Sequence, residues 1–143
     1  MRLSGSLLLA ALPFTAACTG VWSRGIVEGP GTLPLGNAEV KAYDEHGQRM
    51  LAVVRSDANG CFFITAKPEK GEHRFTLEIS APGFRAARDG FPLETEILIA
   101  TLEPESESAP SGIRAATTAE RTDRWNPQCA PPMSPGAQQL SPH

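Results

Sequence analysis

Residues 34–43 and 53–64 constrain the fold of this chain more than any other stretch. In the first, Ala38, Val40 and Ala42 alternate with Glu39, Lys41 and Tyr43. A period of two puts the apolar set on one face of an extended strand. In the second, Asp57-Ala-Asn-Gly60 separates Met50 to Ser56 from the apolar run that begins at Phe62. Asn and Gly accept the positive φ that a two-residue turn needs, so Asp57, Asn59 and Gly60 are read as a structural turn closing a tight β-hairpin.

The same alternation recurs along the chain. Strands are expected over residues 22–28, 38–44, 50–56, 62–67, 73–81, 84–88 and 94–102, with turn residues between them. In the fifth, Phe75, Leu77 and Ile79 alternate with Thr76, Glu78 and Ser80. The seventh is apolar on both faces, Ile97 and Ile99 against Leu98, Ala100 and Leu102, as in a central or covered strand. Short strands at this spacing predict an all-β fold, a seven-stranded antiparallel Greek-key β-sandwich over residues 23–103. Such a core of about eighty residues buries only roughly 60% of its unfolded surface, so a cross-link or a partner would matter to it. Past Pro104 the apolar density falls, and residues 104–143 read as a disordered Pro-rich tail, with a turn or two of helix within 113–124.

The formal charge of −3 over 143 residues, mixed in sign along the chain, gives no basic footprint for nucleic acid. The three histidines, His46, His73 and His143, fall at unrelated places, and no Gly-x-Ser-x-Gly elbow is present. Asp57 to Gly60 has the flavour of a calcium loop but lacks the closing Glu. No catalytic residue, metal ligand or cofactor is expected, and the chain is read as not an enzyme.

Residues 1–17 have the form of a secretory signal peptide. Arg2 precedes the short apolar run Leu7 to Leu12, and small residues follow. The end of this run, Thr15-Ala16-Ala17-Cys18, resembles the lipobox of bacterial lipoproteins. That resemblance implies cleavage before Cys18, lipidation of its thiol and often acylation of its new amine, with palmitate among the chains. Thr15 stands where Leu is usual, and plain cleavage after Ala17 is the alternative. Residues 18–22 would then be a lipid-anchor linker. In that family Asp after the cysteine favours inner-membrane retention, so the resemblance with Thr19 there implies the outer membrane, facing the periplasm. In an oxidising compartment Cys61 and Cys129 can form a disulfide that clips the tail to the sandwich, or remain two free thiols.

Gly25-Ile-Val27, Leu33 to Val40, Ser56-Asp-Ala-Asn-Gly-Cys-Phe62 and Ile79 to Phe84 together resemble the carboxypeptidase regulatory-like domain. The resemblance implies a transthyretin-like (prealbumin-like) sandwich whose shared residues make turns and fill the core. Relatives of that fold include a hydroxyisourate hydrolase and intradiol dioxygenases. The latter hold iron with two Tyr and two His, and Tyr43 is the single tyrosine here. The expected function is a non-catalytic, lipid-anchored envelope protein whose sandwich binds or supports an envelope protein or glycan. The alternatives are a small secreted transthyretin-like hydrolase and a secretion-apparatus lipoprotein. The partners expected are the membrane through Cys18 and an envelope protein or glycan, with no nucleic acid.

Overall fold

The computed structural model describes residues 21–129. The signal segment, Cys18 and residues 130–143 lie outside the described residues. The described chain is an all-β sandwich of two four-stranded sheets, ordered β4-β1-β7-β8 (sheet I) and β3-β2-β5-β6 (sheet II). Its strands are β1 (Val21–Glu28), β2 (Glu39–Tyr43), β3 (Met50–Arg55), β4 (Cys61–Ala66), β5 (Arg74–Ser80), β6 (Ala87–Pro92), β7 (Ile97–Thr101) and β8 (Gly112–Ala115). The count is eight, not seven. The pairing is not wholly antiparallel either, because β1 and β7 run parallel, Ile26 level with Ile99.

Between the sheets lies the core that the alternation predicts. Val27, Val40, Phe62, Leu77, Ile79 and Leu98 are fully buried there, joined by Ile113 from β8. Fully burying one such side chain contributes roughly 1.5–3 kcal/mol.

The fold departs from two expectations. Asp57 to Gly60 is a turn but not a hairpin. β3 pairs with β2 in sheet II, whereas β4 pairs with β1 in sheet I, so the turn carries the chain from one sheet to the other. A local turn fixes direction over four residues, and the alternation on either side suits a crossing as well as a hairpin. The expected strand at 84–88 begins later, at Ala87, while Phe84 makes an isolated bridge to Pro104.

The largest correction concerns the tail. The sandwich does not end at residue 103. Gly112–Ala115 adds β8 beside β7, and a helical segment follows as α1 (Thr118–Glu120), a π-helical turn (Arg121–Trp125) and α2 (Asn126–Gln128). Thr117 opens it with a capping box. Its hydroxyl accepts from the Glu120 N–H at 3.1 Å, and Glu120 Oε1 accepts from the Thr117 N–H at 3.0 Å. A single long apolar run is not needed to order this segment, because it folds against a surface already made by sheet I.

Candidate functional site

The outer faces of the two sheets differ, and the difference starts in the strands. Outward positions of sheet I include Cys61, Ile26, Ile97 and Ile99, all buried. The helical segment covers them as a strap that begins at β8, one edge of the sheet, and ends at Cys129, disulfide-bonded to Cys61 in β4, the other edge. The two Cα atoms are 5.8 Å apart, across 68 residues of sequence. Trp125 is only 3% exposed and joins Ile26, Cys61, Ile97 and Cys129 in a second apolar layer, with the Arg24 guanidinium 5.4 Å from its ring centre. The apolar outer face of β7 thus has its reason.

Charge closes the strap as well. The Glu28 carboxylate, nearly fully buried, is held by the Arg124 guanidinium and accepts from the Thr101 hydroxyl at 3.2 Å. Arg114 on β8 grips Glu120 with two bonds, 2.6 and 2.7 Å. That grip, with the Thr117 N–H, pulls the Glu120 carboxyl down to about 2. Bidentate arginine pairs of this kind are the strong form of the charged hydrogen bond.

The outer face of sheet II carries no such cover among the described residues. Tyr43 stands between Arg88, whose guanidinium lies 4.8 Å from the ring centre, and Glu78, which accepts its phenol at 3.3 Å. Arg88 also pairs with Glu78 at 3.6 Å, and Glu39 pairs with Lys41 at 3.3 Å and with Arg55 at 3.6 Å. The hydrogen bond that Lys41 donates to Glu39 holds its ammonium above its ordinary range. This aromatic and charged strip, with Val53 47% exposed beside it, is the candidate interaction surface. It presents donors, acceptors and one ring edge, the chemistry of polar recognition.

The other singled-out residues have structural posts. Asp57 Oδ1 accepts from the N–H groups of Asn59 and Cys61, both at 2.9 Å. Gly60 sits at φ +80°, where a Cβ would come within 2.5 Å of the Val27 carbonyl oxygen. The loops after β2 and before β5 meet at one rim, which residue spacing did not reveal. There Glu45 Oε1 accepts from the backbone N–H of His73 at 2.9 Å and of Arg74 at 3.2 Å. Those bonds, the His73 one foremost, hold the Glu45 carboxyl below its ordinary range, with His46 and His73 adding to the effect. A carboxylate so occupied is a poor proton acceptor and a good loop clamp. Among the described residues no three His, Cys, Asp or Glu side chains are grouped to hold a metal ion. An apolar recess lined by Ala42, Ile64, Ala66, Phe75 and Leu93 ends at Ser23, whose hydroxyl already donates to the Thr95 carbonyl at 3.0 Å.

No family model and no curated protein matches the chain. Among solved structures it is similar to the 3-chlorocatechol 1,2-dioxygenase of Rhodococcus opacus 1CP, with 10% identity and a TM-score of 0.38 over 68% of this chain. The chain spans 60% of that protein's length. It is also similar to the dioxygenase domain of a dioxygenase carbohydrate-binding protein fusion from the cellulolytic bacterium Streptomyces sp. SirexAA-E. There the identity is 12% and the TM-score 0.42, over 81% of this chain and 92% of that one. Both are enzymes, so the expectation that this chain is not an enzyme is corrected and withdrawn. At these scores the likeness assigns no reaction to it.

Proposed function

We propose that the chain is a lipid-anchored protein of the bacterial cell envelope. In this reading a Greek-key sandwich of the carboxypeptidase regulatory-like, transthyretin-like kind offers sheet II to an envelope protein or a glycan. The observation that carries the proposal is the asymmetry of the two faces. The chain's own strap occupies sheet I, which leaves the Tyr43, Lys41 and Glu78 strip for another molecule. The four passages of the chain between the sheets suit Greek-key winding.

The anchor fits the same picture. Cys18 precedes the first strand by three residues (21 − 18), which span at most roughly 10 Å. An acylated Cys18 would hold the sandwich against the headgroup layer, and two or more acyl chains make such an anchor stable. The outer membrane, facing the periplasm, is the proposed location, on the strength of Thr19 after the cysteine.

Intact-mass analysis of the protein purified from membranes tests this reading. The expected species begins at Cys18, carries acyl groups and moves to the soluble fraction when Cys18→Ser is introduced. An unacylated mature protein in the soluble periplasm would contradict the anchor. For the binding face, a partner captured on the wild type should be lost from Tyr43→Ala with Lys41→Glu, and equal capture by both would contradict it.

A further inference from the structure

The Cys61–Cys129 disulfide is roofed by the segment that it closes. Cys61 is 0% and Cys129 3% exposed, and Trp125 packs in the same layer. Thiol–disulfide exchange needs a thiolate to reach one of the two sulfurs. Sulfurs so buried offer no approach while the strap lies on sheet I. Yet the strap has a slight backbone hold on that sheet. The Ala116 N–H donates to the Ile97 carbonyl at 2.9 Å. Past that bond the strap is tied through side chains: Arg114 to Glu120, Arg124 to Glu28, Gln128 Nε2 to the Asn59 carbonyl at 2.8 Å, and buried Trp125. Its helical pieces of three, five and three residues are far too short to stand alone. A segment held in this way opens locally, at a lower free energy than the strand ladder beneath it.

We propose that the strap is a gate over its own disulfide. Residues 117–128 lift from sheet I first, as a loop still tethered at both ends, while β1 to β8 stay paired. Only in that open state does a dithiol reductant reach the bond. One thiolate of the dithiol attacks the Cys129 sulfur, forming a mixed disulfide and releasing Cys61 as a thiolate. The second sulfur of the dithiol, as its thiolate, then displaces Cys129. Two electrons pass from the dithiol to the protein, the reductant leaves as a disulfide, and its two protons end on Cys61 and Cys129. Once cut, the strap has lost its tether to β4, and the outer face of Ile26, Ile97 and Ile99 is no longer latched shut. The oxidised protein thus protects its own latch, and opening sets the pace of reduction.

Timed alkylation and peptide mapping of the purified full chain in excess dithiothreitol follow the Cys61 and Cys129 thiols. The folded wild type is expected to be reduced about a hundredfold more slowly than the same protein unfolded in urea. Arg114→Gln gives up the pair with Glu120 and should speed reduction of the folded protein by roughly fivefold. Glu45→Gln loosens the clamp on the His73 and Arg74 N–H groups, on the other sheet, and should leave the rate unchanged. Far-UV circular dichroism checks that each variant is folded, and Glu120→Gln takes the place of Arg114→Gln if that variant is not. A folded wild type reduced as fast as the unfolded one would overturn the proposal. So would a folded Arg114→Gln or Glu120→Gln reduced at the wild-type rate. Equal acceleration by Glu45→Gln would overturn it too, because reduction would then pass through global unfolding.

Discussion

Gly25 sits in the middle of β1, where the residue alone decides whether two strands can meet. A Cβ there would lie 2.2 Å from the carbonyl oxygen of Leu98 and 2.8 Å from the ring of Phe62. Glycine is read from sequence as a turn residue, yet this one is a gap into which the fully buried Phe62 ring fits. Gly25→Ala must push β1 off β7 or turn Phe62 out of its place. It should cost about 3 kcal/mol, at the upper end for overpacking, and urea unfolding of the variant checks it. At the same scale, Glu120 carries the clearest acid dependence. Its carboxyl is lowered from 4.5 to about 2 by Arg114 first and the Thr117 N–H next. A depressed carboxyl contributes stability above its unfolded value and loses it as pH falls, so the loss runs from about pH 4.5 down to about 2. The side chain is 21% exposed, and screening trims a contribution that is on the order of 3 kcal/mol at most. Unfolding free energies measured across that window should converge for wild type and Glu120→Gln.

Among the elements, the strap is where stability and organisation meet. The disulfide joins Cys61 and Cys129 across 68 residues, and chain entropy puts its effect at roughly 4 kcal/mol. Cys129→Ser should lower the unfolding free energy by about that amount and free the helical turns while β8 keeps its place beside β7. Denaturant titration of both proteins, each fitted with its own slope, is the check. How much of this was legible follows from the range of each signal. Alternation is local, so strands β2, β4 and β5 and the inward Phe62, Ile64, Leu77 and Ile79 could be read directly. Apolar residues on both faces marked β7 as a central or covered strand, without telling which face looked inward. The cover is built from Arg124, Trp125 and Cys129, sparse residues in an Ala- and Thr-rich stretch. Each is held by a partner far away in sequence, and composition cannot report that. Likewise the Asp57 to Gly60 turn was visible as a turn, but which sheet each flanking strand joins depends on distant pairing. The Tyr43 strip was visible as an outward row, whereas Arg88 and Glu78, its partners from β6 and β5, were not.

At the scale of the whole molecule, residues 112–129 belong to the sandwich and cover sheet I, and sheet II is the uncovered face among the described residues. Amide hydrogen exchange, followed by mass spectrometry on the oxidised protein and again after reduction, tests this claim most directly. Residues 113–115 should be protected in both states, at a level set by β7, and residues 121–125 should be protected until the disulfide is reduced. Exchange at the rate of an unfolded peptide throughout 112–129 in the oxidised protein would contradict it.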